Sequence, residues 1–146
     1  MKKYIAVKIV NAKPMSAMLA TRILGRDVDT TNSAPNENGE TGYRGYLVEY
    51  EDGYRSWCPE KQFEEANRPC DGMTFGLAQE AALKGHGFRL PTWQYDVVIR
   101  VQIPDEGSKM TEPYFYVTSR FGMVPWIPTM IEMFSNAWVI VREGGN

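Results

Sequence analysis

One histidine, His86, and two cysteines, Cys58 and Cys70, are all that 146 residues supply of the side chains that most often carry catalysis or bind metals. A single imidazole excludes multi-histidine metal sites and leaves every Ser-His or Cys-His pair one base to draw on. His86 lies in Gly85-His86-Gly87, which reads as the turn after a helix. Two cysteines are too few for a disulfide framework or a four-cysteine zinc site, and both are expected to be reduced thiols with no special reactivity. No Gly-x-x-x-x-Gly-Lys-Ser/Thr phosphate loop, Gly-x-Gly-x-x-Gly fingerprint, His-Glu-x-x-His or Gly-x-Ser-x-Gly occurs. Asp96, Asp105 and Glu106 are the acidic candidates for a magnesium ion, but Asp105-Glu106-Gly107 reads as a solvent loop. Glu60, Glu64 and Glu65 read as the solvated face of a helix. No metal, no cofactor and no enzymatic activity are expected.

A basic excess is also missing. Sixteen Lys and Arg stand against eighteen Asp and Glu, a net charge of −2, which argues against holding long nucleic acid by neutralising phosphates. No apolar run approaches the roughly 20 residues that span a bilayer. Met1-Lys2-Lys3-Tyr4-Ile5 leads into a stretch broken by Lys8, Asn11 and Lys13, so neither a secretory signal nor a membrane association is expected.

What is present falls into two halves, expected as domains over residues 1–69 and 70–146. In the first, Tyr4 to Val10 alternates and predicts a strand ended by Pro14, and Met15 to Leu24 has helical spacing. Residues 27–42 hold almost nothing apolar and read as a flexible surface loop. Tyr46-Leu47-Val48-Glu49-Tyr50 and Tyr54-Arg55-Ser56-Trp57 flank Glu51-Asp52-Gly53, a hairpin signal. Pro59 suits the first position of a helix running to about Ala66, and Asn67 to Gly72 has linker composition.

In the second half Thr74 predicts an N-cap, Phe75 onward a helix, and Gly85 its left-handed terminator. Strands are expected at Phe88–Leu90, Tyr95–Ile103, Pro113–Ser119 and Ala137–Arg142, with a short helix at Pro128–Phe134. A helix followed by sequential strands predicts an α+β fold with a small antiparallel sheet, beside a small β-rich N-terminal module. Aromatic side chains crowd this half, from Trp93 to Trp138. Some must form the core; the rest, near Arg89, Arg100 and Arg120, suit either a subunit interface or a pocket for a nucleobase and its phosphates.

Three phrases carry a family resemblance. The first is Met73-Thr74-Phe75-Gly76 with its helix, followed by Arg89 and Trp93. The second is Pro113-Tyr114-Phe115-Tyr116-Val117, then Gly122-Met123-Val124-Pro125-Trp126-Ile127-Pro128-Thr129. The third is Asn136-Ala137-Trp138-Val139-Ile140-Val141. From Met73 to Val141 the chain resembles the Thoeris anti-defence type two group of phage proteins. It departs from the group's pattern in Arg89-Leu90-Pro91-Thr92-Trp93 and in Asn136-Ala137 before Trp138. The N-terminal half resembles a phage module to which no function attaches.

The resemblance implies a sponge in the host cytoplasm that binds a small cyclic nucleotide-type immune signal, a cyclic ADP-ribose isomer or cyclic oligonucleotide, without cleaving it. It also implies a homo-oligomer, dimer or tetramer, with pockets between subunits. Arg89, Trp93, Tyr116, Arg120, Trp126 and Thr129 are the expected ligand-binding residues. Trp93 and Trp126 would offer stacking surfaces and the arginines donor forks for a pyrophosphate. A protein interaction module without a nucleotide ligand is the alternative, and a small nucleotide hydrolase or lyase a third reading.

Overall fold

The Asp52-Gly53 pair makes the turn that its composition demands. Gly53 takes a φ of 83°, its N–H donates to the Tyr50 carbonyl at 2.9 Å, and Tyr50 N–H donates to the Tyr54 carbonyl at 2.9 Å. The turn joins β2 (Gly45–Glu49) to β3 (Arg55–Pro59) in antiparallel register, with Leu47 opposite Trp57. The computed structural model describes residues 1–31, 33–35 and 42–141. It divides into two compact units, Met1–Arg68 and Pro69–Asn146. Of the expected 27–42 loop, residues 32 and 36–41 lie outside the described residues, as does Arg142 of the expected last strand.

In the N-terminal unit β1 (Asn11–Pro14) lies antiparallel to β2, giving a sheet of order β1-β2-β3. The strand expected over Tyr4–Val10 is not formed; these residues belong to no helix or sheet. The reason is geometric. Asn11 pairs with Glu49, and beyond Glu49 the partner strand turns away at Tyr50, so β2 has no backbone left to offer an earlier residue. Alternation alone cannot create a ladder.

Helix α1 (Ala17–Leu24) starts two residues later than its apolar spacing predicts, because the Ser16 side chain caps it by accepting from Leu19 N–H at 3.3 Å. Gly25, at φ 68°, ends it. Met15, Ala17, Ala20, Leu47 and Trp57 form the buried cluster, and Trp57 Nε1 donates to the Met15 carbonyl at 2.8 Å. Helix α2 (Glu60–Ala66) follows β3 directly; Pro59, expected inside the helix, stands one place before it. Phe63 of α2 stacks on Tyr46 at 4.2 Å between centroids, on the sheet face opposite Leu47. The acidic face of α2 is engaged at its edges: Glu60 pairs with Arg44 at 3.2 Å and Glu64 accepts from the Tyr46 hydroxyl at 2.9 Å.

The C-terminal unit begins as its sequence predicts. Thr74 accepts from Leu77 N–H at 3.3 Å at the head of α3 (Phe75–Leu83), and Gly85 follows its end at φ 96°. Five strands come next: β4 (Gly87–Arg89), β5 (Val98–Gln102), β6 (Tyr114–Ser119), β7 (Gly122–Pro125) and, after α4 (Met130–Met133), β8 (Val139–Val141). Every pairing is antiparallel and the order is β7-β6-β5-β4-β8. The α+β class holds for both units. Strand β7 is the element that sequence reasoning missed; a four-residue exposed edge strand ending in proline carries little apolar alternation.

Gly45 is required where it stands. A Cβ there would collide with the Trp57 indole and the Cys58 carbonyl, neither of which is a flexible chain end. Gly45→Ala is expected to lower the unfolding free energy of the full chain by about 1–3 kcal/mol, read by urea denaturation followed through tryptophan fluorescence.

Candidate functional site

The two faces of the C-terminal sheet differ in chemistry, and strand alternation decides which residue goes where. Phe88, Ile99, Val101, Phe115, Val117 and Ile140 point to the face on which α3 packs, and with Met73, Ala78, Ala82 and Trp138 they make the core. The opposite face is built from two cross-strand rows. One runs Val139, Arg89, Val98, Thr118, Met123; the other runs Val141, Gly87, Arg100, Tyr116, Pro125. Gly87 is functional here by its lack of a side chain. A Cβ on it would lie 2.7 Å from Val98 Cγ1 and 3.1 Å from the Arg100 guanidinium carbon, so the bare backbone leaves room for both side chains.

At the head of this arrangement is an aromatic cluster. Trp138 is fully buried and meets Phe88, Trp93 and Phe75 at 5.2, 5.4 and 5.7 Å between centroids. Trp93 and Trp126 meet edge to face at 6.1 Å, each half-buried. Trp126 is tied to β6 by its N–H donating to the Phe115 carbonyl at 2.9 Å. The Leu90–Trp93 turn, closed by Trp93 N–H on the Leu90 carbonyl at 3.1 Å, brings the Trp93 backbone back to β4, where its carbonyl accepts from Arg89 Nη2. Arg89 Nε is buried and has no hydrogen-bond partner among the described residues.

The six residues expected to bind ligand therefore occupy four places. Trp93 and Trp126 meet ring to ring against the core, and Arg89, on the opposite face of β4, reaches only the Trp93 backbone carbonyl. Tyr116 lies in the second row of the sheet face, opposite Arg100; Arg100 and Gly87 belong to this surface but were not among the six. Arg120 and Thr129 each have a local partner. Arg120 is held by Asp96 through Nε and Nη2, each at 3.0 Å, and through its own N–H at 2.8 Å. Thr129 caps α4 in a reciprocal pair with Glu132, accepting from its N–H at 3.2 Å while the Glu132 carboxylate accepts from Thr129 N–H at 2.8 Å.

Asp96, considered above as a magnesium ligand, is the anchor of Arg120 instead. Among the described residues no cluster of three or more His, Cys, Asp or Glu could hold a metal ion. The thiols of Cys58 and Cys70 are pushed above their ordinary value by burial, with Asp71 adding to it at Cys70; an activated thiolate shifts the other way. A groove of about 260 Å³ in the N-terminal unit is walled by Ile23, Leu47 and the Glu49–Arg55 ion pair, and no residue of the expected site lines it. No helix among the described residues is long and apolar enough to cross a membrane.

The hydrogen bonds from the Arg120 side chain and N–H hold the Asp96 carboxyl well below the usual carboxylate range. A carboxylate depressed in the folded state adds stability above its unfolded value of about 3.9, and that stability is lost as pH falls through the folded value. Asp96→Asn is thus expected to lower the thermal midpoint at neutral pH and to flatten its decline below about pH 4, measured by melting curves of both proteins across pH 2–7.

No curated protein matches the chain. A family model does: residues 73–141, somewhat under half of the sequence and all within the C-terminal unit, match the Tad2-like family, the Thoeris anti-defense 2-like domain, as the phrases from Met73 to Val141 implied.

Proposed function

We propose that the protein is a phage anti-defence factor that sequesters a cyclic nucleotide-type immune signal, a cyclic ADP-ribose isomer or a cyclic oligonucleotide, in the host cytoplasm without cleaving it. The match to an anti-defense domain supports the anti-defence role. The observation that carries the ligand reading is the junction of Arg89 with Trp93. The Arg89 guanidinium is held by one nitrogen on the Trp93 backbone carbonyl, its Nε has no acceptor among the described residues, and the Trp93 indole is half-buried against Trp126. A buried unpaired donor is costly, and an anionic oxygen satisfies it with a charge-assisted bond. Tyr116 and Arg100 lie with Arg89 on the sheet face opposite the core, a polar surface that adjoins this junction through Arg89.

The homo-oligomer rests on a second feature. Ile127, Met130, Ile131 and Phe134 recur at helical spacing along and around α4, and all four are exposed, Ile131 at 85%. An apolar stripe turned to solvent marks an interaction surface, here an interface between copies that would complete pockets at the sheet. The same stripe favours the second reading, a protein interaction module that binds no nucleotide.

Incubation with a panel of cyclic ADP-ribose isomers and cyclic dinucleotides, followed by heat denaturation and mass spectrometry of the released molecule, separates the readings. Intact recovery of one signal is expected; a converted product points to an enzyme, and no depletion to the interaction module. Arg89→Ala and Trp93→Ala, checked for unchanged fold, should each weaken retention about 5- to 150-fold. Ile131→Asp should reduce the particle mass in light scattering while leaving the circular dichroism of the chain unchanged.

A further inference from the structure

The sheet of the N-terminal unit ends in β1, and β1 continues backward into a segment that pairs with no strand among the described residues. Tyr4-Ile5-Ala6-Val7-Lys8-Ile9-Val10 is rich in the β-branched and aromatic residues that favour strands. Yet Tyr4 is 87% and Ile5 93% exposed. An unpaired apolar strand running on from an open sheet edge is a template for pairing with another chain. Val7, Ile9 and Val10 are half-buried, and the Lys8 ammonium lies 5.5 Å from the Tyr50 ring centroid.

We propose that this arm, with the outer edge of β1, pairs antiparallel with the same segment of a second copy, joining two three-stranded sheets into one. The argument for a second copy is self-complementarity. An antiparallel pairing of a segment with itself is a two-fold contact, so the edge that forms it is used up in a pair of copies. Centred on Val7, it sets Ile5 against Ile9 and Tyr4 against Val10, so Ile5, Val7 and Ile9 of both copies share one face. Each lysine then meets a neutral residue: Lys8 meets Ala6, Lys3 meets Asn11, and Lys2 meets Ala12. Shifting the centre to Lys8 would place that lysine against itself. Pro14, which has no N–H to give, falls outside the ladder.

The contact uses only the N-terminal unit, so it stands or falls apart from the ligand reading. Hydrogen exchange on the intact chain across a dilution series tests it. Amides 4–10 are expected to be protected at high concentration and to lose protection on dilution, together with a halving of the particle mass. Val7→Pro should halve the mass and remove the protection at every concentration, while Val7→Thr keeps both. Amides 4–10 that exchange at free-peptide rates at all concentrations would overturn the proposal. So would protection that survives dilution to a monomer, which would mean that the arm pairs within its own chain, or a Val7→Pro protein of unchanged mass.

Discussion

Trp138 sits where the segments of the C-terminal unit meet. Its backbone forms a reciprocal bridge with Met73, N–H to carbonyl at 2.8 Å in one direction and 3.2 Å in the other. Its indole N–H donates to the Glu132 carbonyl at 3.0 Å. Its ring packs against Phe75, Phe88, Trp93 and Trp126. One residue thus fixes the entry to α3, the inner strand β4, the turn after it, the segment after β7, and the end of α4. An indole packed this way contributes several kcal/mol of burial. Because its single donor is satisfied, that burial leaves no polar atom stranded. The positions of Arg89 and Trp93 follow from it: the Leu90–Trp93 turn is pressed against Trp138, and Arg89 reaches the turn's carbonyl.

The surface and the core share their aromatics. Trp93 and Trp126 are each part of the packed cluster and each half-exposed, so one edge of the indole supports the fold while the rest faces outward. A stacking surface held by the core is rigid before any ligand arrives, and rigidity of this kind lowers the ordering cost of binding. Arg120 contrasts with it. Its fork is already filled by Asp96, so it serves the β6–β7 turn as it stands and would meet a phosphate only by giving up that pair.

Local chemistry made much of this fold legible. Asp52-Gly53, Thr74 and Gly85 each had a single conformational use, and each has it. Alternation placed β5 and β6 to within a few residues. What failed were features decided by a neighbour rather than by the segment itself. Tyr4–Val10 has every mark of a strand, but β2 is too short to reach it. Strand β7 has few such marks, but β6 supplies it with partners from Tyr116 to Ser119. At the site, the residue types were readable and their grouping was not. Trp93 and Trp126 lie far apart along the chain, and they meet where both pack against Trp138. Arg120 looked available until Asp96, distant in sequence, proved to face it.

The strand order β7-β6-β5-β4-β8 also sets a timetable for synthesis. Strands β4 to β7 can zip as neighbours in the order they leave the ribosome, but β8 must return past all of them to the far side of β4. Until it does, Met73 lacks its bridge and Phe75, Phe88 and Trp93 lack the ring they pack around. Pairings of such long sequence separation form late and slowly. The aromatic cluster therefore remains open water-facing surface until Trp138 has been made, and a chain stalled or cut before it would present that surface to chaperones and proteases.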